Sequence, residues 1–169
     1  MPLPSIKVFS RYALSCGLLL IPAIAWNLAF TSKLMPPSAM SEFWRDIPTP
    51  LVLIENLLRA SVFGLPFAMP LEIATKPARR ALWVFVLGTL VYFVSWLAVM
   101  YQPHSAWSSS VLGSLAPAYT PILWLPGLAA LGQRLFSGHF YRRWMYLFLC
   151  VGFLAAHITH AAIVYARSA

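Results

Sequence analysis

The chain has 169 residues, of which 60% are hydrophobic and only 9% are charged. Soluble globular proteins carry about 25% charged residues, so this composition excludes an ordinary soluble domain and indicates an integral membrane protein. The net charge of +8 does not indicate nucleic-acid binding, because the twelve Lys and Arg residues stand in short groups between apolar stretches.

Five apolar stretches are long enough to cross a bilayer as helices, since about 20 residues span ~30 Å of hydrocarbon. In chain order they cover residues 11–31, 51–71, 80–102, 116–135 and 142–166. The sequence therefore predicts a single all-α domain over residues 1–169, built as a bundle of five transmembrane helices.

The positive residues predict the orientation of this bundle, because cytoplasmic connections carry an excess of Lys and Arg. Connections 32–50 and 103–115 have no such excess and are predicted to be external. The positive groups fall in the alternate segments, at Lys7, Arg11, Lys76, Arg79, Arg80, Arg134, Arg142 and Arg143. We therefore expect a cytoplasmic N-terminus and an external C-terminus, in the inner membrane of a bacterium.

An alternative for the first stretch is a cleaved signal peptide, because residues 23–25 read Ala-Ile-Ala and resemble a small-residue cleavage site. The length of the stretch, with Trp26 and Asn27 near its end, favours an uncleaved helix. Charge bias does not decide between the two, since the second helix keeps its orientation in both cases.

Polar residues inside the second stretch predict a site, because hydrocarbon disfavours such side chains. Glu55, Asn56 and Arg59 fall within about 100° of arc on one helix face. Counted from the helix ends, they share the outer half of the bilayer with Asn27 and with His157 and His160 of the fifth stretch. A Glu and an Arg four residues apart also form a purely structural helix pair, so that alternative stays open.

The two histidines are predicted to face the inside of the bundle. Their side chains lean toward the cytoplasmic end of the helix, so they cannot reach the outer surface and need partners within the protein. Gly152 and Ala156 form a stripe of small residues that continues to His160, which indicates close packing of this face against another helix.

A metal site is one interpretation of the H-x-x-H spacing of His157 and His160. Glu55 would then be a third ligand and His104 or water a fourth. Interhelical hydrogen bonds by the histidines are the alternative, and haem is a less favoured one. The zincin motif H-E-x-x-H is absent, so the cofactor stays open.

The spacing of Glu55 and Arg59 resembles one part of the glutamate–arginine motif of intramembrane CAAX-type proteases. The resemblance covers five residues. The paired glutamate and the spaced histidine motifs of that family are absent, and a G-x-S-x-G nucleophile elbow is also absent. We therefore take no function from this resemblance.

Three functions are compatible with these patterns. The first is a pocket for an anionic or lipid-like small molecule, with Arg59 binding the anion and Glu55, His157 and His160 binding the remainder. The second is a membrane-embedded enzyme that uses these histidines with Glu55 in acid–base chemistry or as metal ligands. The third is a non-catalytic subunit or assembly factor, in which the polar groups join helices and no ligand-sized cavity exists. The lipid bilayer is the predicted partner in all three, and the sequence leaves a homo-oligomer open.

Overall fold

The computed structural model describes residues 14–30, 33 and 43–168. Lys7 and Arg11, which helped to predict the orientation, lie outside the described residues. So do residues 11–13 and 31 of the first predicted stretch and most of connection 32–50.

The described residues form helices and no strand, which confirms the all-α prediction. A 3₁₀ turn, Cys16–Leu20, leads into the first α-helix, and a second 3₁₀ turn, Leu65–Ala68, continues the second α-helix. The α-helices are α1 (Ile21–Ala29), α2 (Thr49–Gly64), α3 (Lys76–Tyr101), α4 (Val111–Ser114), α5 (Ala116–Tyr119), α6 (Pro121–Leu131) and α7 (Arg143–Ser168).

Three of the described helical segments are long and apolar enough to cross a membrane. They are Thr49–Ala68, Lys76–Tyr101 and Arg143–Arg167, and they correspond to the second, third and fifth predicted stretches. The α-helical part of the first segment ends at Gly64 and becomes a 3₁₀ turn around Pro66. Proline lacks the backbone N–H that an α-helix needs, so the change occurs where the sequence predicts a bend.

The structure describes only part of the first predicted stretch. Its described helical part, Cys16–Ala29, is apolar but reaches only roughly 20–25 Å at the rise of α and 3₁₀ turns. This described part alone is shorter than ~30 Å of hydrocarbon, and residues 11–13 and 31 of the stretch lie outside the described residues.

The fourth predicted stretch, residues 116–135, is not one continuous helix. It is divided into α5 and α6, and α6 ends at Leu131. Pro117 and Pro121 lie at the beginning of these two helices, and Pro126 lies inside α6. Because proline fits the first turn of a helix but interrupts its interior, this spacing favours short helices over one long span.

The short helix α6 forms the centre of the protein. It packs against α3 and α7, and its Trp124, Leu125 and Leu128 are buried. Gly88 of α3 and Gly127 of α6 allow the two backbones to approach: a Cβ added to Gly88 would lie 2.7 Å from the Trp124 backbone nitrogen, and one added to Gly127 would lie 2.6 Å from the Phe85 nitrogen. The backbones of α3 and α6 are therefore in close contact.

Helices α2 and α7 also pack side by side and so create the site. A Cβ on Gly152 of α7 would meet Leu58 of α2 at 3.3 Å. Near the C-terminal end of α2, the Tyr146 hydroxyl donates a hydrogen bond of 2.8 Å to the Val62 carbonyl. Ala156 and His160 are buried, so the prediction that this face of α7 points inward is confirmed.

Candidate functional site

Glu55 is the centre of a polar cluster between α2 and α7. Its side chain is 1% exposed and contacts three side chains that can carry positive charge. Arg59 donates to Oε1 from Nη2, and the His157 Nδ1 lies 2.9 Å from the same oxygen. The His160 Nδ1 lies 2.6 Å from Oε2. The structure therefore brings the two histidines of α7 to Glu55 of α2, from which they are 102 and 105 positions apart in sequence.

Arg59 lies at the edge of this cluster and faces open space. Its four-residue spacing from Glu55 places both on one face of α2. A second nitrogen, Nη1, donates to the Asn56 Oδ1 at 3.4 Å. The Arg59 side chain remains 37% exposed, so a guanidinium edge is accessible to a ligand.

His160 is fully buried, and both of its ring nitrogens face acceptors. Nδ1 faces the Glu55 carboxyl group, and Nε2 lies 3.3 Å from the Phe43 carbonyl oxygen. A carbonyl oxygen can only accept a hydrogen bond, so Nε2 must carry a proton. The rings of Phe43 and Trp44 lie over the imidazole at centroid distances of 4.4 and 5.1 Å.

The net charge of the cluster follows from these hydrogen bonds. One proton lies between the His160 Nδ1 and Glu55 Oε2. If His160 holds it, the cluster contains an imidazolium, a guanidinium and a carboxylate; if Glu55 holds it, the cluster contains a guanidinium and two neutral groups. The sum is +1 in both cases when His157 is neutral.

His157 differs from His160 because one of its nitrogens is available. Its Nδ1 contacts Glu55, and its ring stacks on Phe153 with centroids 5.2 Å apart. In the neutral form, Nδ1 carries the proton that Glu55 accepts, which leaves a lone pair on Nε2. Among the described residues, no side chain or backbone group forms a hydrogen bond with Nε2.

Two adjoining cavities lie next to Arg59 and His157. Their volumes are about 380 and 580 Å³, which is within the range of roughly 300–1,000 Å³ for small-molecule sites. Most of their walls are apolar or aromatic. Both cavities are lined by Asn27, Arg59, Trp96, Pro117 and His157.

Asn27 lines both cavities, whereas His104 lines neither. The Asn27 amide accepts a hydrogen bond of 3.0 Å from the Tyr92 hydroxyl and donates one of 2.8 Å to the Ala23 carbonyl. His104 lies exposed in the turn after α3 and lines neither cavity. No contact of the described residues connects His104 with Glu55, His157 or His160, so its role as a fourth ligand stays a prediction.

The described residues do not form the predicted metal site. No group of three His, Cys, Asp or Glu side chains in the described part of the chain is arranged to hold a metal ion. The reason is visible at Glu55, His157 and His160: their polar atoms lie 2.6 and 2.9 Å apart and so bind one another. These are hydrogen-bond separations.

Sequence reasoning missed the aromatic residues that enclose the polar cluster. Phe43 and Trp44 cover His160, and Trp96 forms a wall shared by both cavities. Aromatic residues are common in membrane proteins, and nothing in their spacing connects them to Glu55. Comparisons with known protein families, curated proteins and solved structures give no match for this chain.

Proposed function

We propose that the cavities beside Arg59 and His157 bind an anionic amphiphile, such as a lipid with a negatively charged headgroup. The single observation that supports this most strongly is the net charge of +1 in the polar cluster, with Arg59 as its accessible edge. A positive charge in surroundings of low dielectric constant attracts an anion more strongly than it would in water.

The other described carboxylates do not neutralise this charge. Asp46 lies 3.6 Å from Arg45, and Glu72 pairs with Arg134. Glu55 is therefore the only described carboxylate in contact with Arg59, His157 or His160. An anionic group beside Arg59 would complete the charge balance, and Arg suits carboxylate and phosphate groups because its guanidinium is a planar donor.

The cavity walls favour an amphiphile over a small inorganic ion. The first cavity continues from Arg59 along Trp96, Val99 and Val164, and the second continues along Phe63 and Leu28. Covering such apolar surfaces with the hydrocarbon chain of a ligand is favourable, because it removes them from water. The proposed ligand therefore has its charged group at Arg59 and its apolar chain against these walls.

We further propose that the chain crosses the inner membrane of a bacterium in five segments, with the N-terminus cytoplasmic, and that the site opens toward the outer half of the bilayer. The positive residues between the apolar stretches support this arrangement. Single cysteines at Ser109→Cys and Ser137→Cys test it, because both positions are exposed and the native Cys16 and Cys150 are buried. In intact cells, a membrane-impermeant maleimide should label position 109 and not position 137; the reverse would invert the topology.

The binding experiment compares two lipid probes on the delipidated protein in a non-ionic detergent. Isothermal titration should show saturable binding of short-chain phosphatidylglycerol, about tenfold or more tighter than that of phosphatidylcholine with the same acyl chains, which corresponds to ~1.4 kcal/mol or more. Equal affinities for the two lipids, or no saturable binding of either, would refute the proposed anion site.

The two cavities also bear on the alternative functions. A purely structural role for the polar residues predicts no ligand-sized cavity, so the cavities favour binding. An enzyme is a second candidate because Glu55 orients the His157 ring, as a carboxylate orients a general base. Mass spectrometry of the lipid recovered from the titration separates the two: intact lipid supports binding alone, and a cleaved product supports catalysis.

A further inference from the structure

The available nitrogen of His157 suggests how the site responds to pH. This inference rests on the proposed binding of an anion beside Arg59. We propose that the site binds its anionic ligand together with one proton, which His157 takes up on Nε2. Protonated His157 and Arg59 would then hold the anion from two sides.

Geometry assigns this proton to His157 and not to His160. His160 is 0% exposed, and its two nitrogens already face Glu55 and Phe43. His157 is 25% exposed, lines both cavities together with Arg59, and has Nε2 without a hydrogen-bond partner among the described residues. Of these two histidines, only His157 can therefore gain a proton and present a new N–H donor to the cavity.

The titratable and charged groups around His157 come from several of the described helices. Arg59 and Glu55 face it from α2, and His160 lies one turn away on its own helix α7. The first helix contributes the uncharged Asn27, and α3 contributes the hydroxyl of Tyr92. Tyr165 of α7 lines the first cavity. No further carboxylate of the described residues contacts His157.

Thermodynamic linkage determines whether protonation of His157 strengthens or weakens anion binding. Without ligand, a proton on His157 would raise the charge of the cluster from +1 to +2, so Arg59 opposes it. An anion beside Arg59 removes this opposition and favours the protonated imidazole. Because coupling between two bound species is reciprocal, protonation must tighten anion binding by the same factor by which the anion favours protonation.

The test repeats the phosphatidylglycerol titration between about pH 5.5 and about pH 8.5, the range in which histidines titrate. The phosphodiester of this lipid keeps one negative charge over the whole range, so the ligand itself does not titrate. We expect binding to be about tenfold or more tighter at the acidic end. Titrations in buffers of different ionisation enthalpy should show uptake of up to one proton per lipid near neutral pH.

Two histidine variants locate the proton. His157→Gln should abolish both the pH dependence and the proton uptake, whereas His104→Gln, which alters an exposed histidine outside both cavities, should leave them unchanged. Tight wild-type binding that does not vary with pH, or a pH dependence that survives His157→Gln, would overturn the proton coupling and leave the proposed function intact. Absence of binding at every pH would refute the proposed function and the coupling together.

Discussion

Replacing Glu55 by Gln is expected to lower the free energy of unfolding by about 3–5 kcal/mol, the usual cost of removing one partner from a buried ion pair. Glu55 is 1% exposed and forms hydrogen bonds with Arg59, His157 and His160. When His160 is the imidazolium, a neutral amide cannot balance the positive charge of His160 and Arg59, and this loss of the counter-ion is the reason for the expected cost. Thermal unfolding in detergent, followed by circular dichroism, measures the change.

Glu72 provides the matched control for this substitution. It pairs with Arg134, but both side chains are more than half exposed. Exposed ion pairs contribute about 0–1 kcal/mol, so Glu72→Gln should have little effect on the unfolding temperature. If the two variants unfold at the same temperature, Glu55 does not stabilise the cluster as a buried counter-ion.

Replacing Gly127 by Ala should also destabilise the protein, by about 1–3 kcal/mol or more. The added Cβ would lie 2.6 Å from the Phe85 nitrogen and 2.7 Å from the Ala81 oxygen. These are backbone atoms, so no side-chain rotation relieves the contact and α3 and α6 must separate. The measured quantity is again the unfolding temperature in detergent. The separation of α3 and α6 should also displace the residues of α6 that line the second cavity.

Gly64, at the end of α2, shows what the same substitution does without a contact. No heavy atom lies within 4 Å of a Cβ built there. Because alanine restricts the unfolded chain more than glycine does, Gly64→Ala should leave stability unchanged or raise it by roughly 0.4–1 kcal/mol. A loss at Gly64 as large as that at Gly127 would show that the close approach of α3 and α6 is not the cause.

The sequence predicted that these polar residues face one another because burial of polar groups in hydrocarbon is costly and their spacing on a helix is regular. Glu55 and Arg59 share a helix face at a separation of four residues, and His157 and His160 share another at a separation of three. The small residues of α7 then indicated that the histidines face a neighbouring helix. The sequence could not indicate that both histidines form hydrogen bonds with the Glu55 carboxyl group through Nδ1. This depends on how α2 and α7 are positioned relative to each other.

The predicted fold is less complete in the segments that depend on tertiary contacts. Residues 116–135 are apolar enough for a span, yet their prolines divide them into α5 and α6. The hydropathy of a segment does not indicate such a break in the helix. His104 was expected at the site because its connection lies at the same end of the bundle, but the turn carries it to an exposed position. Phe43 and Trp44 reach His160 across more than one hundred residues, a contact that no local pattern predicts.

The central claim is that the accessible charge of Arg59 holds an anion in the cavity, and Arg59 variants test it most directly. Arg59→Gln lowers the charge of the cluster from +1 to zero, and Arg59→Lys preserves it. In the titration with phosphatidylglycerol, we expect Arg59→Gln to weaken binding by about tenfold or more, toward that of phosphatidylcholine, and Arg59→Lys to retain most of the preference for the anionic lipid. If Arg59→Gln binds phosphatidylglycerol as tightly as the wild type while remaining folded, the anion does not bind at this site and the account is contradicted.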